Sequence, residues 1–238
     1  KAGRQWVELM VRVQGPIVTA LDAVFAQDWF AETEEGLDVE LGPPAPPAAG
    51  DGVIGDVACQ LVPSGPGYPS ENNLRLFTTL IYAATERLSI TSPYFVPDES
   101  LLYAVTTAAQ RGVAVELFVS EESDQFMVGH AQASYYRALL EAGVRIHLYP
   151  APFILHAKHF TVDDDVAVIG SSNMDMRSFG LNYEISLMML GSEVVEAMRA
   201  VQDDYRARSR ELTLDEWDRR PPRKKYVDNV MRLTAALQ

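Results

Sequence analysis

Residues 154–187 read ILHAKHFTVDDDVAVIGSSNMDMRSFGLNYEISL, and this stretch decides how the rest of the chain is interpreted. Short runs rich in β-branched and aromatic residues are separated in it by Asp- and Gly-containing turns, a pattern typical of successive strands. The run HAKHFTV is predicted to be one of these strands. His156 and Lys158 would then share one face, about 6.6 Å apart along the strand axis, with His159 on the other face.

His156 and Lys158 together suit chemistry at a phosphorus atom. Imidazole can act as a nucleophile or a general acid, and a neighbouring ammonium can hold a phosphate oxygen as a point charge. Ser171 and Asn173 follow a predicted strand and a Gly turn, and both can donate hydrogen bonds as charge grows in a transition state. A nucleophilic imidazole also needs a fixed tautomer, which a carboxylate on its far ring nitrogen usually provides.

Outside this stretch, strands and helices alternate along the chain. VAVELFV is a near-continuous apolar run, as expected of a strand buried on both faces. The helix ESLLYAVTTAAQR is predicted to begin after Asp98 and to end before Gly112. Another helix is predicted from about Ala131 to Ala142, where Gly143 stops it. Ser70 is a candidate cap for a helix over residues 71–87, and a capping box lies at Thr213. The pattern predicts an α/β fold with helices on both faces of one sheet.

The N-terminal part is organised differently. WVELMVRVQG alternates and is predicted to be a strand ending at Gly15, followed by a helix over PIVTALDAVFAQDWF with Pro16 in its first turn. The Pro/Ala/Gly-rich run GPPAPPAAGDG, residues 42–52, is typical of a linker. The opening KAGRQW, without an initiator Met, leads us to expect a piece of a longer polypeptide.

Composition narrows the functional classes. The net charge of −13 over 238 residues argues against a general nucleic-acid binder, because phosphate neutralisation dominates that affinity. No apolar run approaches the roughly 20 residues of a membrane span. The single cysteine, Cys59, excludes an internal disulfide and is expected to be buried.

Two motifs in the opening stretch carry a family resemblance. The pattern H-x-K-x4-D from residue 156, followed by G-S-x-N from residue 170, resembles the signature of the phospholipase D superfamily. The first motif alone has little specificity, and the spacing to the second makes the pair specific. TSPYFVPDESLL (91–102), SYYRALLEAGVRI (134–146) and GSSNMDMRSFGLNYEISL (170–187) resemble the second half of bacterial cardiolipin synthases, and VRVQGPIVTALDAVFAQDW resembles the end of their first half.

The resemblance implies an architecture. It implies a phospholipase D-like fold, with a central mixed β-sheet flanked by helices on both faces. Residues 1–41 would be a remnant of the end of a first half, residues 42–56 a linker, and residues 57–238 the second catalytic half. Because relatives combine two H-x-K motifs in one site and this chain has one, a second half would come from an upstream segment or from a homodimer.

The resemblance also implies roles for individual residues. His156 would form a phosphohistidine or protonate the leaving group, and Glu184 would orient its ring. Asp163 belongs to the catalytic motif but would mainly fix the local loops. The residues implied to hold the substrate phosphate are Lys158, Ser171 and Asn173. The chemistry would need no metal and no cofactor.

The implied activity is that of a phosphatidyltransferase that converts two phosphatidylglycerol molecules into cardiolipin and glycerol. A phospholipase D-type hydrolase and a non-catalytic half that completes another chain's site are the alternatives. The partners would be phosphatidylglycerol and the surface of a bacterial cytoplasmic membrane, with this part on a soluble face and no nucleic acid bound.

Other notable residues have mainly structural interpretations. His147 is interpreted as a satisfied core histidine, His159 as a surface or packing residue, and His130 as a residue near a helix start with a possible contact to substrate. The basic run RRPPRKK, residues 219–225, fits either anionic lipid head groups or a solvated turn.

Overall fold

The computed structural model describes residues 5–38, 53–68 and 70–233, so most of the predicted linker lies outside the described residues. The strands are β1 (Gln5–Val7), β2 (Ala58–Ser64), β3 (Arg87–Thr91), β4 (Phe95–Val96), β5 (Ala114–Ser120), β6 (Arg145–Tyr149), β7 (Phe153–Leu155), β8 (His159–Val162), β9 (Val166–Gly170), β10 (Met174–Asp175), β11 (Glu184–Leu190) and β12 (Arg210–Leu212). The helices are α1 (Ile17–Thr33), α2 (Asn72–Ala83), α3 (Glu99–Gln110), α4 (Phe126–Ala142), α5 (Met176–Gly180), α6 (Ser192–Arg208), α7 (Leu214–Asp218) and α8 (Pro222–Arg232).

One mixed sheet of eight strands organises the described chain. Its strand order is β12-β6-β5-β3-β8-β9-β11-β2. Strands β3, β5 and β6 are parallel to one another, and the other neighbouring pairs are antiparallel. Helices α3 and α4 connect the parallel strands, which cannot be joined by a tight hairpin. The predicted central mixed sheet is confirmed.

Helices cover both faces of this sheet, and β5 shows how the sequence directs them. Leu117 and Val119 join the larger core, which also contains residues of α2, α3 and α4. Phe118, between them, points to the opposite face and packs edge-on against Tyr205 of α6, with ring centroids 6.3 Å apart. Side chains alternate faces along a strand, so a continuous apolar run serves two cores.

Three predicted helix boundaries are confirmed by their capping contacts. Asp98 accepts a hydrogen bond from the backbone N–H of Leu101 at 2.9 Å, and Thr213 accepts one from the N–H of Glu216 at 3.2 Å. Gly143 ends α4 with φ 98°, a conformation that favours glycine.

Helix α4 begins at Phe126, five residues before the predicted start near residue 131. Its first turn shows little apolar periodicity because Phe126 and Met127 are exposed. A core-facing position also carries the polar Gln132, whose side-chain oxygen accepts a hydrogen bond from Phe95 N at 2.7 Å. The pattern that predicts a helix is therefore weakened at this end.

Two local predictions on the edge of the sheet are wrong. Cys59 is exposed, because β2 is an edge strand and only its C-terminal part reaches the core. Ser70 does not cap α2, since the residue before that helix is Glu71 and no side chain accepts a capping hydrogen bond there. The following strand begins at Arg87, so the helix is shorter than predicted.

The N-terminal segment forms less regular structure than its alternating sequence predicts. Only Gln5–Val7 is a strand, paired in parallel with Phe153–Leu155 of β7, and residues 8–14 belong to no strand. Alternating apolar and polar residues favour a strand, but a strand also needs a neighbour to pair with. Among the described residues, β1 pairs only with β7, and that pairing ends at Val7. Helix α1 follows as predicted, although none of its residues is buried.

Within the described ranges, none of the helices combines the length and apolar character that crossing a membrane requires.

Candidate active site

His156 and Lys158 lie in the short connection between β7 and β8, and not within a strand as predicted. The structure nevertheless brings their side chains together. The ammonium Nζ of Lys158 lies 3.0 Å from Nδ1 and 3.2 Å from Nε2 of His156. It also donates a hydrogen bond to the backbone carbonyl of His156 at 2.6 Å. This bond folds the lysine back over the connection, so the two groups form one unit.

The N-terminal segment supplies the other two side chains around His156. The His156 N–H donates to the carbonyl of Val7 at 2.8 Å, which extends the pairing of β1 with β7. Trp6 stacks on the imidazole with ring centroids 4.2 Å apart, and Glu8 Oε1 lies 2.7 Å from Nδ1. A carboxylate at this distance accepts the Nδ1 hydrogen, so Nε2 keeps the lone pair that a nucleophile needs.

Glu184 forms no hydrogen bond with His156 among the described residues, and its orientation of this ring stays a prediction. It begins β11 opposite Ser64, and its carboxylate accepts a hydrogen bond from the Asn182 side chain at 3.2 Å. The nitrogen assigned to Glu184 is already taken by Glu8. Glu184 is still near enough to act electrostatically on Lys158.

Lys158 is partly desolvated, and this burial lowers its pKa to about 8. Four carboxylates oppose the shift by favouring the charged ammonium, namely Glu8, Glu184, Asp175 and Asp124. A partly desolvated ammonium has lost some of its hydrogen bonds to water. A phosphate oxygen can replace these hydrogen bonds and also offers a negative charge, so such an ammonium favours binding of a phosphate.

We expect phosphate binding at this site to weaken as the pH rises through about 8, because the folded-state pKa of Lys158 is lowered to that value and its ammonium is then lost. The dissociation constant of a phosphodiester substrate analogue, measured from pH 6.5 to 10, tests this. In Lys158→Arg the charge persists throughout, so the profile should flatten. An equal pH dependence in both proteins contradicts the assignment.

The G-S-x-N motif is placed by the pairing of β9 with β11. A side chain at Gly170 would collide with the backbone carbonyl of Ile185, so the close contact of the two strands needs glycine there. The Ser171 hydroxyl accepts from Ile185 N at 3.0 Å and donates to its carbonyl at 3.4 Å, so it is already used by the neighbouring strand.

Asn173 lies at a small cavity of about 150 Å³ that is also lined by Tyr94, Asp175 and Arg177. Its Oδ1 is buried and has no hydrogen-bond partner among the described residues. This oxygen has almost no accessible surface, so a ligand in the cavity would meet other atoms of the Asn173 side chain. Asn173 thus remains a candidate contact to substrate, whereas Ser171 is tied to the scaffold.

Asp163 has a structural position at the far end of β8. Its carboxylate accepts hydrogen bonds from the backbone N–H groups of Thr85, Glu86 and Arg87 at 2.8–3.2 Å, and from the Thr85 hydroxyl at 2.8 Å. Partial burial would raise its pKa, but these hydrogen bonds outweigh burial and lower the pKa. These contacts fit the predicted loop-fixing function of Asp163, and its grouping with the catalytic residues stays a prediction.

The other three histidines lie elsewhere. His147 is buried, stacks on Phe118 and contacts Glu116 at 3.0 Å through Nε2, in agreement with a satisfied core histidine. His159 is also buried, and burial lowers its pKa to about 3, so it is a neutral packing residue. His130 lies in the second turn of α4.

Glu8 and Trp6 were missed by the sequence analysis, although a signal for Glu8 exists as an internal repeat. Glu8 precedes Gly15 by seven positions, and Glu184 precedes Gly191 by seven. Both glycines have positive φ, 92° and 136°, and each is followed by a helix of 17 residues, α1 and α6. Glu8 is therefore the counterpart of Glu184 in a second Glu-x6-Gly-helix unit, although residues 8–14 form no strand.

Comparison with protein families gives one clear match. Residues 77–204 match the family described as "Cardiolipin synthase, PLD-like domain". The chain is 40% identical over 220 residues to cardiolipin synthase A of Yersinia pseudotuberculosis, and 40% identical over 222 residues to that of Proteus mirabilis. Each match covers 91% of this chain but 44% of the relative, so the chain spans less than half the length of these enzymes.

Solved structures agree on the fold. A phosphatidylserine synthase from Haemophilus influenzae superposes with a TM-score of 0.63 at 16% identity, covering 89% of this chain and 53% of that one. Nuc from Salmonella typhimurium, a phospholipase D family member, superposes with a TM-score of 0.57 at 19% identity, covering 66% of this chain and 99% of that one.

Proposed function

This chain belongs to the cardiolipin synthase family with a phospholipase D-like domain, and on that premise we propose that it is one half of a phosphatidyltransferase. The enzyme would move a phosphatidyl group from one phosphatidylglycerol molecule to another, giving cardiolipin and glycerol. The observation that carries the proposal is the contact of Glu8 with His156 Nδ1 at 2.7 Å, beside the ammonium of Lys158. It leaves Nε2 as the reactive nitrogen.

The proposed reaction has two displacements at one phosphorus. In the first, a histidine Nε2 bonds to phosphorus while the bond from phosphorus to the oxygen of the head-group glycerol breaks. A second histidine gives that oxygen a proton, and glycerol leaves. In the second, the hydroxyl of another phosphatidylglycerol bonds to phosphorus, its proton returns to the second histidine, and the phosphorus–nitrogen bond breaks. His156 takes one of these two parts, and the order is left open.

The phosphate in this scheme is held by Lys158 and Asn173. The lowered pKa of Lys158 and the position of Asn173 at the small cavity support their roles, and Asn173 would hold a phosphate oxygen by donating from its amide nitrogen. Ser171 contributes by fixing the backbone of Ile185, and Asp163 by fixing the loop at Thr85. The transition state gains from donors that are positioned before the charge develops.

The second histidine would come from a second phospholipase D-like half, supplied by an upstream segment or by another copy of this chain. Three observations support this: the repeat that pairs Glu8 with Glu184, residues 8–13 outside any strand among the described residues, and α1 without buried residues. By symmetry, Glu184 would orient the second imidazole as Glu8 orients the first. Residues 1–41, 42–56 and 57–238 would then be the end of the first half, a linker and the second half.

We place this activity at the surface of a bacterial cytoplasmic membrane, where phosphatidylglycerol is available. The family and the bacterial relatives support this location. The substrate-facing groups, Lys158 among them, suit an anionic phospholipid.

The test is an assay of the 238-residue chain alone and of the chain joined to a second phospholipase D-like half, with phosphatidylglycerol vesicles as substrate. We expect cardiolipin and free glycerol only when two halves are present, with mass photometry reporting the assembly state. Phosphatidic acid as the sole lipid product would favour the hydrolase. Full turnover by a strictly monomeric chain would overturn the two-half scheme.

A further inference from the structure

The small cavity at Asn173 lies beside the place where the substrate phosphate is proposed to bind. Asn173 lines this cavity, and the proposed reaction gives it a phosphate oxygen to hold. Asp175, another lining residue, is near enough to the other phosphate contact, Lys158, to favour its ammonium electrostatically. A group bonded to that phosphate is therefore next to the cavity, and the volume and lining of the cavity decide which group can enter it.

The volume of the cavity selects the smaller substituent of the phosphate. A phospholipid carries a diacylglycerol on one phosphate oxygen and a head-group alcohol on another. The cavity measures about 150 Å³. A water molecule takes about 30 Å³ in the liquid, so this volume corresponds to roughly five water molecules. A small alcohol such as glycerol fits this space, whereas the acyl chains of a membrane lipid do not.

The lining of the cavity suits a neutral ligand with hydroxyl groups. Among the described residues that line it, Asp175 and Arg177 alone are charged, and their charges cancel. Behind the lining, Asp124 and Glu184 add two carboxylates, so the surroundings hold no surplus of positive charge for a second anion. A hydroxyl group both donates and accepts, and can therefore pair with either kind of lining group. The uncharged polar side chains of the lining are those of Tyr94, Gln125, Asn173, Ser178 and Asn182.

Asp175 is the acceptor that such a ligand would meet. Its carboxylate accepts a hydrogen bond from the backbone N–H of Ser178 at 2.7 Å and thereby caps α5. Burial raises the pKa of the Asp175 carboxyl, and it outweighs the hydrogen bonds from Ser178 and Asn173 that lower this pKa. Capping accounts for the contact with Ser178 N. It leaves a half-buried carboxylate whose charge is incompletely stabilised, and a hydroxyl that donates to it from the cavity would stabilise that charge.

Arg177 supplies donors to the same cavity. Its Nε donates to Oδ1 of Asn182 at 3.4 Å, and Nδ2 of Asn182 donates to Glu184 at 3.2 Å. Within the described ranges no carboxylate lies at ion-pair distance from the Arg177 guanidinium, so its terminal nitrogens can donate to a ligand oxygen. The same guanidinium disfavours an ammonium head group, because two like charges would then share one small cavity.

We propose that this cavity is the head-group subsite of the reaction and that it binds the glycerol of phosphatidylglycerol. A glycerol hydroxyl donates to Asp175 and accepts from Arg177, while the phosphate stays on Lys158 and Asn173. The subsite selects a head group with free hydroxyls, because a head group without them leaves these lining groups unpaired. The choice of glycerol rests on the proposed function, whereas the preference for hydroxyl groups follows from the lining.

The selectivity between two head groups tests the subsite. The assay follows release of the head-group alcohol from vesicles of phosphatidylglycerol and of phosphatidylpropanol, whose head group has the same carbon chain but no free hydroxyl. The enzyme is the full chain assembled with a second half. In Asp175→Asn we expect the ratio of the two kcat/KM values to fall roughly tenfold, through the loss of one charge-assisted hydrogen bond. An effect of Asp175 on Lys158 acts on both lipids and cancels in the ratio.

The matched control is Asp98→Asn. Asp98 caps α3 as Asp175 caps α5, accepting from Leu101 N at 2.9 Å, but it does not line the cavity. Asparagine caps a helix about as well as aspartate, so both variants should keep the parent thermal melt. An unchanged ratio in Asp175→Asn, or an equal fall in Asp98→Asn, would overturn the subsite. Faster release from phosphatidylethanolamine than from phosphatidylglycerol by the parent chain would also overturn it, in favour of an ammonium ligand.

Binding without turnover separates the subsite from the proposed function. Saturation-transfer NMR of glycerol and of 1-propanol with the 238-residue chain alone should show stronger transfer to glycerol. This difference should be lost in Asp175→Asn and kept in Asp98→Asn, and equal transfer to the two alcohols in the parent chain would contradict the subsite. A chain that selects glycerol in this way but releases no head group from any lipid contradicts only the proposed function. A hydrolase leaves both measurements valid, because it releases the same head-group alcohol.

Discussion

Turnover of phosphatidylglycerol is expected to fall by a factor on the order of 10⁴ or more when His156 is replaced by alanine, because removing a nucleophile or its paired base from a double-displacement site removes the unit's function. No described side chain next to it can substitute: Glu8 is an orienting carboxylate, Trp6 is apolar, and Lys158 is held by the backbone carbonyl of residue 156. Release of glycerol from vesicles, by the chain assembled with a second half, measures the effect.

The fold should survive this change, so that the loss can be assigned to chemistry. His156 is not a member of any of the three apolar cores, and its contacts are confined to the site. A second variant, His156→Asn, keeps a polar side chain but cannot bond to phosphorus as imidazole does. Retained glycerol release by either variant, with an unchanged thermal melt, would remove His156 from the reaction.

The sheet and its helices could be predicted because their signals are local. Asp98, Gly143 and Thr213 mark helix ends through contacts within a few residues, and the VAVELFV run records burial on both faces of β5. The start of α4 could not be predicted in the same way. Apolar residues of a helix usually face the core and polar residues face solvent, but here Phe126 is exposed and Gln132 is buried.

The site was predicted only in part because its decisive contact is not local. His156 and Lys158 are two positions apart, and any extended connection brings them near each other. Glu8 reaches His156 from 148 positions away, through a three-residue strand pairing that the sequence does not announce. Glu8 and Glu184 occupy equivalent positions of the repeat. The sequence motif points to Glu184 as the orienting carboxylate, whereas in the structure Glu8 contacts His156. Ser171 likewise required knowledge that β9 and β11 are neighbours.

The contact of Glu8 with His156 leads to the second large effect, expected for Glu8→Gln. A carboxylate accepts the Nδ1 hydrogen and keeps the lone pair on Nε2. An amide can instead donate to Nδ1, which moves the hydrogen to Nε2 and blocks attack or proton acceptance there. The corresponding change in serine protease triads lowers kcat on the order of 10⁴-fold, and loss of an orienting group elsewhere lowers activity about 10–100-fold. Because Glu8 is 46% exposed, we expect a loss between these limits, roughly 10²–10³-fold.

A merely structural role for Glu8 would lower activity through unfolding, so the decisive readout is the ring itself. Nitrogen-15 NMR of His156 should show the hydrogen on Nδ1 in the parent chain and a shift toward the other tautomer in Glu8→Gln, while Glu8→Asp should restore part of the original state. Glu35→Gln, on the same N-terminal segment but exposed, is the control and should change neither the tautomer nor kcat. The fall in Glu8→Gln should appear in kcat with little change in KM, since the carboxylate contacts the imidazole and not the phosphate. An unchanged tautomer with an unchanged kcat would return the orienting role to Glu184, and the two carboxylates of the repeat would then have exchanged partners relative to this structure.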